Sequence, residues 1–135
     1  MATTTTTAEA FPGIEALRNA TRQGWLHVAE THSAGDEPYQ PINPGVDAGE
    51  ASAIGLALQE QRKGQQVLVV IDDRCGRAEA RRQGLSIIGT AAVLVLAKQQ
   101  ELIPACAPLH QTLRQQGYYL SNQVIAAVLN EAGEA

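Results

Sequence analysis

The chain has 135 residues, 44% of them hydrophobic, enough for one domain with one core and too few for two. A formal charge of −4 and a pI near 5.3 exclude general coating of a polyanion, while a local basic face stays open to nucleic acid. Cys75 and Cys106 lack metal-type spacing and a secretory context, so they read as reduced thiols of a cytoplasmic protein; His27, His32 and His110 form no zinc pattern. The start has no signal-peptide pattern, and the longest apolar run, Ala91 to Ala97, is far short of a bilayer.

In chain order, Thr3 to Thr7 make a low-complexity polar start that cannot bury enough surface to offset its ordering entropy. A disordered tail is expected over residues 1–10, with the folded domain over 11–135. Pro12 suits a first helical turn, and Ile14, Leu17 and Thr21 carry the helix to Gly24. Trp25 to Glu30 alternates loosely and predicts a short edge or half-buried strand. Thr31 to Val46, with three prolines and two glycines, predicts a long irregular loop.

Asp47 followed by Glu50 fits an acidic capping box, opening a helix that runs to about Lys63 before Gly64. Glu50 shares a face with Ile54 and Leu58, which sets its carboxylate at one end of the buried stripe, where it needs a cationic or hydrogen-bonding partner. Val67 to Ile71 is a run of five apolar residues, four of them β-branched, and predicts a strand buried on both faces at the centre of a parallel sheet. Asp72 and Asp73 follow at its carboxyl end, where open α/β sheets meet their ligands. Alternation sends the two carboxylates to opposite sides, so one at most faces a crevice, and Asp73 also suits the cap of a helix beginning near Arg74.

That helix carries Arg74, Arg77 and Arg81 near one face and ends at Gly84. Arginines so placed suit bidentate contact with phosphate; the plainer reading is a solvated helix whose charge Glu79 partly balances. Leu85 to Thr90 predicts a second strand, with Thr90 capping an internal helix over Ala91 to Gln100. Pro108 starts a helix that Gly117 ends, and Ser121 caps a last helix with Val124, Ile125, Val128 and Leu129 inward.

The chain has no nucleophile elbow, no phosphate loop of the Gly-x-x-x-x-Gly-Lys type and no dinucleotide fingerprint. What it has is a set of hard oxygens. Glu50, Asp72, Asp73 and Thr90 converge on one sheet edge if the elements form as predicted, and such donors suit Mg²⁺ or Mn²⁺. The matching chemistry is metal-assisted phosphodiester hydrolysis.

Asp47-Ala48-Gly49-Glu50-Ala51, then Ile71-Asp72-Asp73-Arg74 with Ala78 and Ala80, then Ile87-Ile88-Gly89-Thr90 and Tyr119-Leu120-Ser121-Asn122 together resemble a PIN-like domain family, in the branch related to VapC toxin ribonucleases. The resemblance runs from Phe11 to Gly133 in the same order. It implies a Rossmann-like α/β/α nuclease fold with a short parallel sheet, RNA as substrate and an antitoxin as partner. By position, Glu50 matches the second acid, Asp73 or Asp72 the third and Thr90 the polar residue closing the site, with Glu50 and Asp73 as metal ligands. The family's opening strand, with its Asp-Thr-Ser-Pro-Leu type motif and first acid, has no counterpart, so the expected fold is a truncated one. Asp36, Glu37 and Asp47 are the candidates to replace that acid. The gap implies that the Trp25 strand docks on the Val67 strand or that a homo-oligomer or partner chain completes the sheet. Two functions are compatible with these residues: a Mg²⁺- or Mn²⁺-dependent endoribonuclease, or a catalytically inactive PIN-derived binding or assembly module.

Overall fold

A computed structural model describes residues 13–29, 37–118 and 120–134. The chain divides into two units, one through Asp36 and one from Glu37 onward. The threonine tail, Pro12 and Asp36 lie outside the described residues.

In the first unit, α1 (Ile14–Gln23) is bracketed by Gly13 and Gly24, both left-handed at φ 80° and 85°. Gly24 closes the helix by donating its N–H to the Thr21 carbonyl, as its position predicts. The strand expected over Trp25 to Glu30 does not form within the described residues. Leu26 instead donates its N–H back to the Ala20 carbonyl at 3.4 Å, and Trp25 and Val28 are largely exposed. Loose alternation describes a strand only when a ladder partner takes up its backbone groups, and here none does.

The second unit alternates helix and strand. In α2 (Ala48–Arg62) the capping box is complete: Asp47 accepts the Glu50 N–H at 2.8 Å, and Glu50 Oε2 accepts the Asp47 N–H at 3.1 Å. Strand β1 (Leu68–Val70) leads through Asp72 and Asp73 into α3 (Arg74–Arg82), and β2 (Ser86–Ile88) leads through Gly89 into α4 (Thr90–Gln99). The strands pair in parallel with Val69 opposite Ile87, and the Ile71 N–H extends the ladder to the Ile88 carbonyl at 3.0 Å. The α/β class is therefore as expected, with a short two-stranded parallel sheet.

Ile54 and Ala57 of α2, Val69 of β1, Ile71 just past it, Ala80 of α3 and Leu85 form one core cluster. β1 is buried on one face only. Val69 is 6% exposed, whereas Leu68 and Val70 are 54% and 53% exposed. This corrects the expectation of a strand covered on both sides. A β-branched run specifies extended backbone, but how many layers cover it depends on which elements pack there; α2 and α3 cover the Val69 side.

A second cluster joins Ala91 and Val95 of α4 to Cys106 and Val128, the latter on α6 (Asn122–Glu131). Helix α4 is not internal all round, since Val93 and Leu96 are well exposed, and Val124 of α6 also faces outward. Between them, α5 (Ala107–Gln115) has Pro108 in its first turn and is capped from the far end of the chain. Glu134 accepts the N–H groups of Cys106 and Ala107 at 2.8 and 3.0 Å and pairs with Lys98 at 3.2 Å. Those amides and the Lys98 ammonium hold its carboxyl down at about 2. Among the described residues no helix is long and apolar enough to cross a membrane.

Candidate functional site

The carboxyl ends of β1 and β2 lie side by side, so the residues leaving them meet. Asp72, just past β1, reaches across to the start of α4: Oδ1 accepts the Thr90 N–H at 2.8 Å and Oδ2 accepts the Thr90 hydroxyl at 2.6 Å. Thr90 is thus the first residue of α4 and not its cap. Gly89 occupies the cap position without a side chain, and Asp72 supplies from the neighbouring strand the acceptor that the helix start requires. Burial pushes the Asp72 carboxyl up, but the Thr90 hydroxyl, the Tyr118 phenol, the Thr90 amide and the Arg77 charge outweigh it and hold the group below its ordinary value.

Arg77 and Tyr118 complete this corner. Arg77 Nη1 donates to the Ile71 carbonyl at 3.0 Å, which turns the guanidinium inward, away from the phosphate-facing role its helix position suggests. Tyr118 brings a buried hydroxyl close to Asp72 without a well-aligned hydrogen bond among the described residues; burial and the adjacent carboxylate raise its pKa. The corner is tight. A Cβ at Gly89 would stand 3.0 Å from Asp72 Oδ1 and 3.2 Å from Arg77 Nη1.

Asp73 turns the other way, as strand alternation requires. Its Oδ2 accepts the N–H groups of Cys75 and Gly76 at 2.9 and 3.2 Å and so caps α3. Glu50 arrives at the same turn from α2: a Cβ at Gly76 would lie 3.0 Å from Glu50 Cδ and 3.2 Å from its Oε2. Glu50 and Asp73 therefore flank the start of α3, whose first-turn amides favour negative charge. Asp72 stands apart from them, at the start of α4. Among the described residues no three of His, Cys, Asp and Glu gather into a metal-holding group. Glu50 and Asp73 are the two carboxylates beside this turn, and hard oxygens of that kind are the donors that Mg²⁺, which keeps several waters and takes few carboxylates, would use.

Of the arginines, Arg74 and Arg81 are exposed and Arg77 is partly buried. Asp47 is committed to its capping box, and Glu37 is exposed in the preceding loop.

Glu79 is the residue whose role the sequence hides. Far from balancing a solvated face, it is 2% exposed. It accepts hydrogen bonds from the Tyr39 hydroxyl, the Ile42 N–H at 3.2 Å and the Asn43 N–H at 2.8 Å. The Tyr39 phenol and those amides hold the Glu79 carboxyl below its usual value, while burial and Glu79 push Tyr39 up to about 12. The loop so anchored then presses on α3, where a Cβ at Gly45 would meet Cys75 Sγ at 2.7 Å. It leads directly into Asp47 and Glu50, so Glu79 sets where those acids begin.

Open α/β sheets meet their ligands beyond the carboxyl ends of the strands, where Asp72 and Asp73 lie. A family model described as PIN domain matches residues 3–134, nearly the whole chain, and the chain belongs to that family. Comparison with curated proteins and with solved structures returned no match.

Proposed function

We propose that the chain is a metal-dependent ribonuclease of the VapC kind, in which Glu50 and Asp73 hold Mg²⁺ or Mn²⁺ at the start of α3. The observation that carries this reading is the convergence of those two carboxylates, from separate segments, on the first turn around Gly76. A bound metal would supply an activated water and offset charge developing on the scissile phosphate. The protein's own part is positional. The Asp47 amide holds Glu50 through Oε2, and the α3 amides hold Asp73 through Oδ2. The exposed Arg74 and Arg81 give the flanking helix a cationic side toward RNA phosphates.

Calorimetric Mn²⁺ titration of the wild type, Glu50→Gln and Asp73→Asn, run beside an RNA cleavage assay, tests the reading. The expected result is metal binding lost in both variants and cleavage lost in Glu50→Gln. Absence of binding at millimolar Mn²⁺ in the wild type overturns it.

One observation favours a second reading. Glu50, Asp72 and Asp73 each already accept a backbone N–H, so their positions are explained as helix caps with no metal. On that account the chain is a PIN-derived module that binds RNA or a partner chain without cutting. RNA retained intact in the presence of Mn²⁺ by the wild-type protein distinguishes it.

A further inference from the structure

Helix α1 carries an apolar face that its own unit leaves open. Among the described residues of the first unit Ala20 alone is buried, while Leu17, Trp25 and Val28 are well exposed. A helix this short is marginal in water by itself, where about 12–15 residues are needed even with good helix formers. Ile14, Leu17 and Thr21 of α1, with Leu26 and Val28 beyond it, line an open groove of about 830 Å³. Its lining runs from Ile14 to Arg22, nearly the whole helix, so the shape suits an elongated occupant and not a compact ligand.

The charges on that lining come in a fixed order. Glu15 stands in the first turn and Arg22 in the last, each one residue in from an end of α1. Their spacing is about two helical turns, so both fall on one flank, and Leu17, two residues from Glu15, falls on the other. When two copies of a helix pair antiparallel about a two-fold axis, like flanks meet with their directions reversed. The register that overlaps two copies of α1 end to end then sets each Glu15 against the other copy's Arg22, and one Leu17 flank against the other.

The contacts within one copy leave room for this exchange. Glu15 Oε1 takes Arg18 at 2.9 Å, which neutralises the third charge of the lining near the middle of the helix. Glu15 Oε2 meets Arg22 of its own helix only at 3.8 Å, with both side chains exposed, so that oxygen is left for a second guanidinium. A polyanion or a uniformly acidic helix does not match a lining that carries both signs. A helix with the same charges in reverse order does, and α1 turned end for end is one.

We propose that α1 pairs antiparallel with α1 of a second copy of this chain, giving a two-fold dimer in which Glu15 of each copy meets Arg22 of the other and the apolar groove is covered.

The test is sedimentation velocity of the full chain over a concentration series into the high micromolar range. The wild type is expected to show a monomer–dimer equilibrium. Glu15→Arg and Arg22→Glu each set like charges opposite one another at both ends of the pair, and each alone is expected to weaken the dimer about tenfold, the effect of two rim ion pairs turned to repulsion. Mixed in equal amounts, the two variants offer only bases on one α1 and only acids on the other at these positions, and the mixture is expected to regain wild-type affinity as a heterodimer. Leu17→Lys, which sets two ammonium groups on the flanks that meet, is expected to abolish association, with the amide NMR spectrum of the second unit checking the fold of every variant. A wild type that stays monomeric, a dimer indifferent to Glu15→Arg and Arg22→Glu, or a mixture no tighter than either variant alone would each overturn the proposal.

Discussion

Asp72 and Thr90 are separated by 18 residues and joined by two hydrogen bonds, so that the end of one strand caps the helix that follows the next. This lateral cap fixes the mouth of the sheet. It holds the two strand ends together where the ladder hydrogen bonds stop.

Removing it has a measurable cost. Asp72→Ala is expected to lower stability by about 1 kcal/mol, the usual value of a lost helix cap. Thr90→Val, which keeps the amide interaction, should lose less, and thermal unfolding of both reads the difference. Because the folded-state carboxyl sits below its ordinary value, its stabilisation is complete above the unfolded pKa and is lost as pH falls through the lower folded value. Asp72→Asn should accordingly flatten the acid limb of the stability profile.

The loop anchored on Glu79 carries the opposite pH signature. Tyr39 is raised from its ordinary value of 10.0 to about 12, so the folded state favours the neutral phenol. Its stabilisation is complete below the unfolded pKa and is lost as pH rises through that window to the folded value. Denaturant unfolding repeated between those limits should show stability falling in the wild type and much less so in Tyr39→Phe. Glu79→Ala should lower the melting temperature at neutral pH, because the Ile42 and Asn43 amides lose their acceptor.

Strand β1 predicts a contrast between adjacent residues. Val69→Ala should cost about 1–3 kcal/mol through lost burial and a residual cavity. Leu68→Ser and Val70→Thr, on the exposed side, should each stay within about 0.5 kcal/mol of wild type. Equal losses at all three positions would mean that the Leu68 side is covered in solution.

The arginines of α3 separate in the same manner. Under the proposed function, Arg74→Ala and Arg81→Ala should weaken RNA binding and reduce its salt dependence, by roughly one unit of slope for each phosphate no longer neutralised. Arg77→Ala should instead lower the melting temperature, since it removes the guanidinium from the Ile71 carbonyl and from beside Asp72. Filter binding over a salt series, paired with thermal unfolding, keeps the two effects apart.

The features legible in the sequence are those whose cause is local. The Asp47 and Glu50 capping box, the Asp73 and Ser121 caps and the glycine stops at Gly24, Gly84 and Gly117 depend on groups within a few residues, and the structure has them where the spacing puts them. The edge with Asp72, Asp73 and Thr90 follows from the order of strand and helix. What was not legible acts at long range. Glu79 reaches partners 36 to 40 residues away and leaves no periodic trace, so on a helix rich in arginine it reads as one more surface charge. Arg77 shares a face with Arg74 and Arg81 but turns inward to a carbonyl, a choice made by the packing of β1. Tyr118 is brought to Asp72 by the turn after α5, where it donates its N–H to the Leu113 carbonyl, and nothing in its neighbours marks it.

Gly76 sets two demands on α3 against each other. Glycine inside a helix is about 1 kcal/mol less favourable than alanine, so replacing it would ordinarily strengthen the helix. Here the added methyl would press at 3.0 Å on both the Glu50 Cδ and the Ile71 Cγ2, forcing the acid and the core to give way together. The intrinsic weakness of the helix at this turn is the room in which Glu50 stands, and a more stable α3 would be one with its acid displaced.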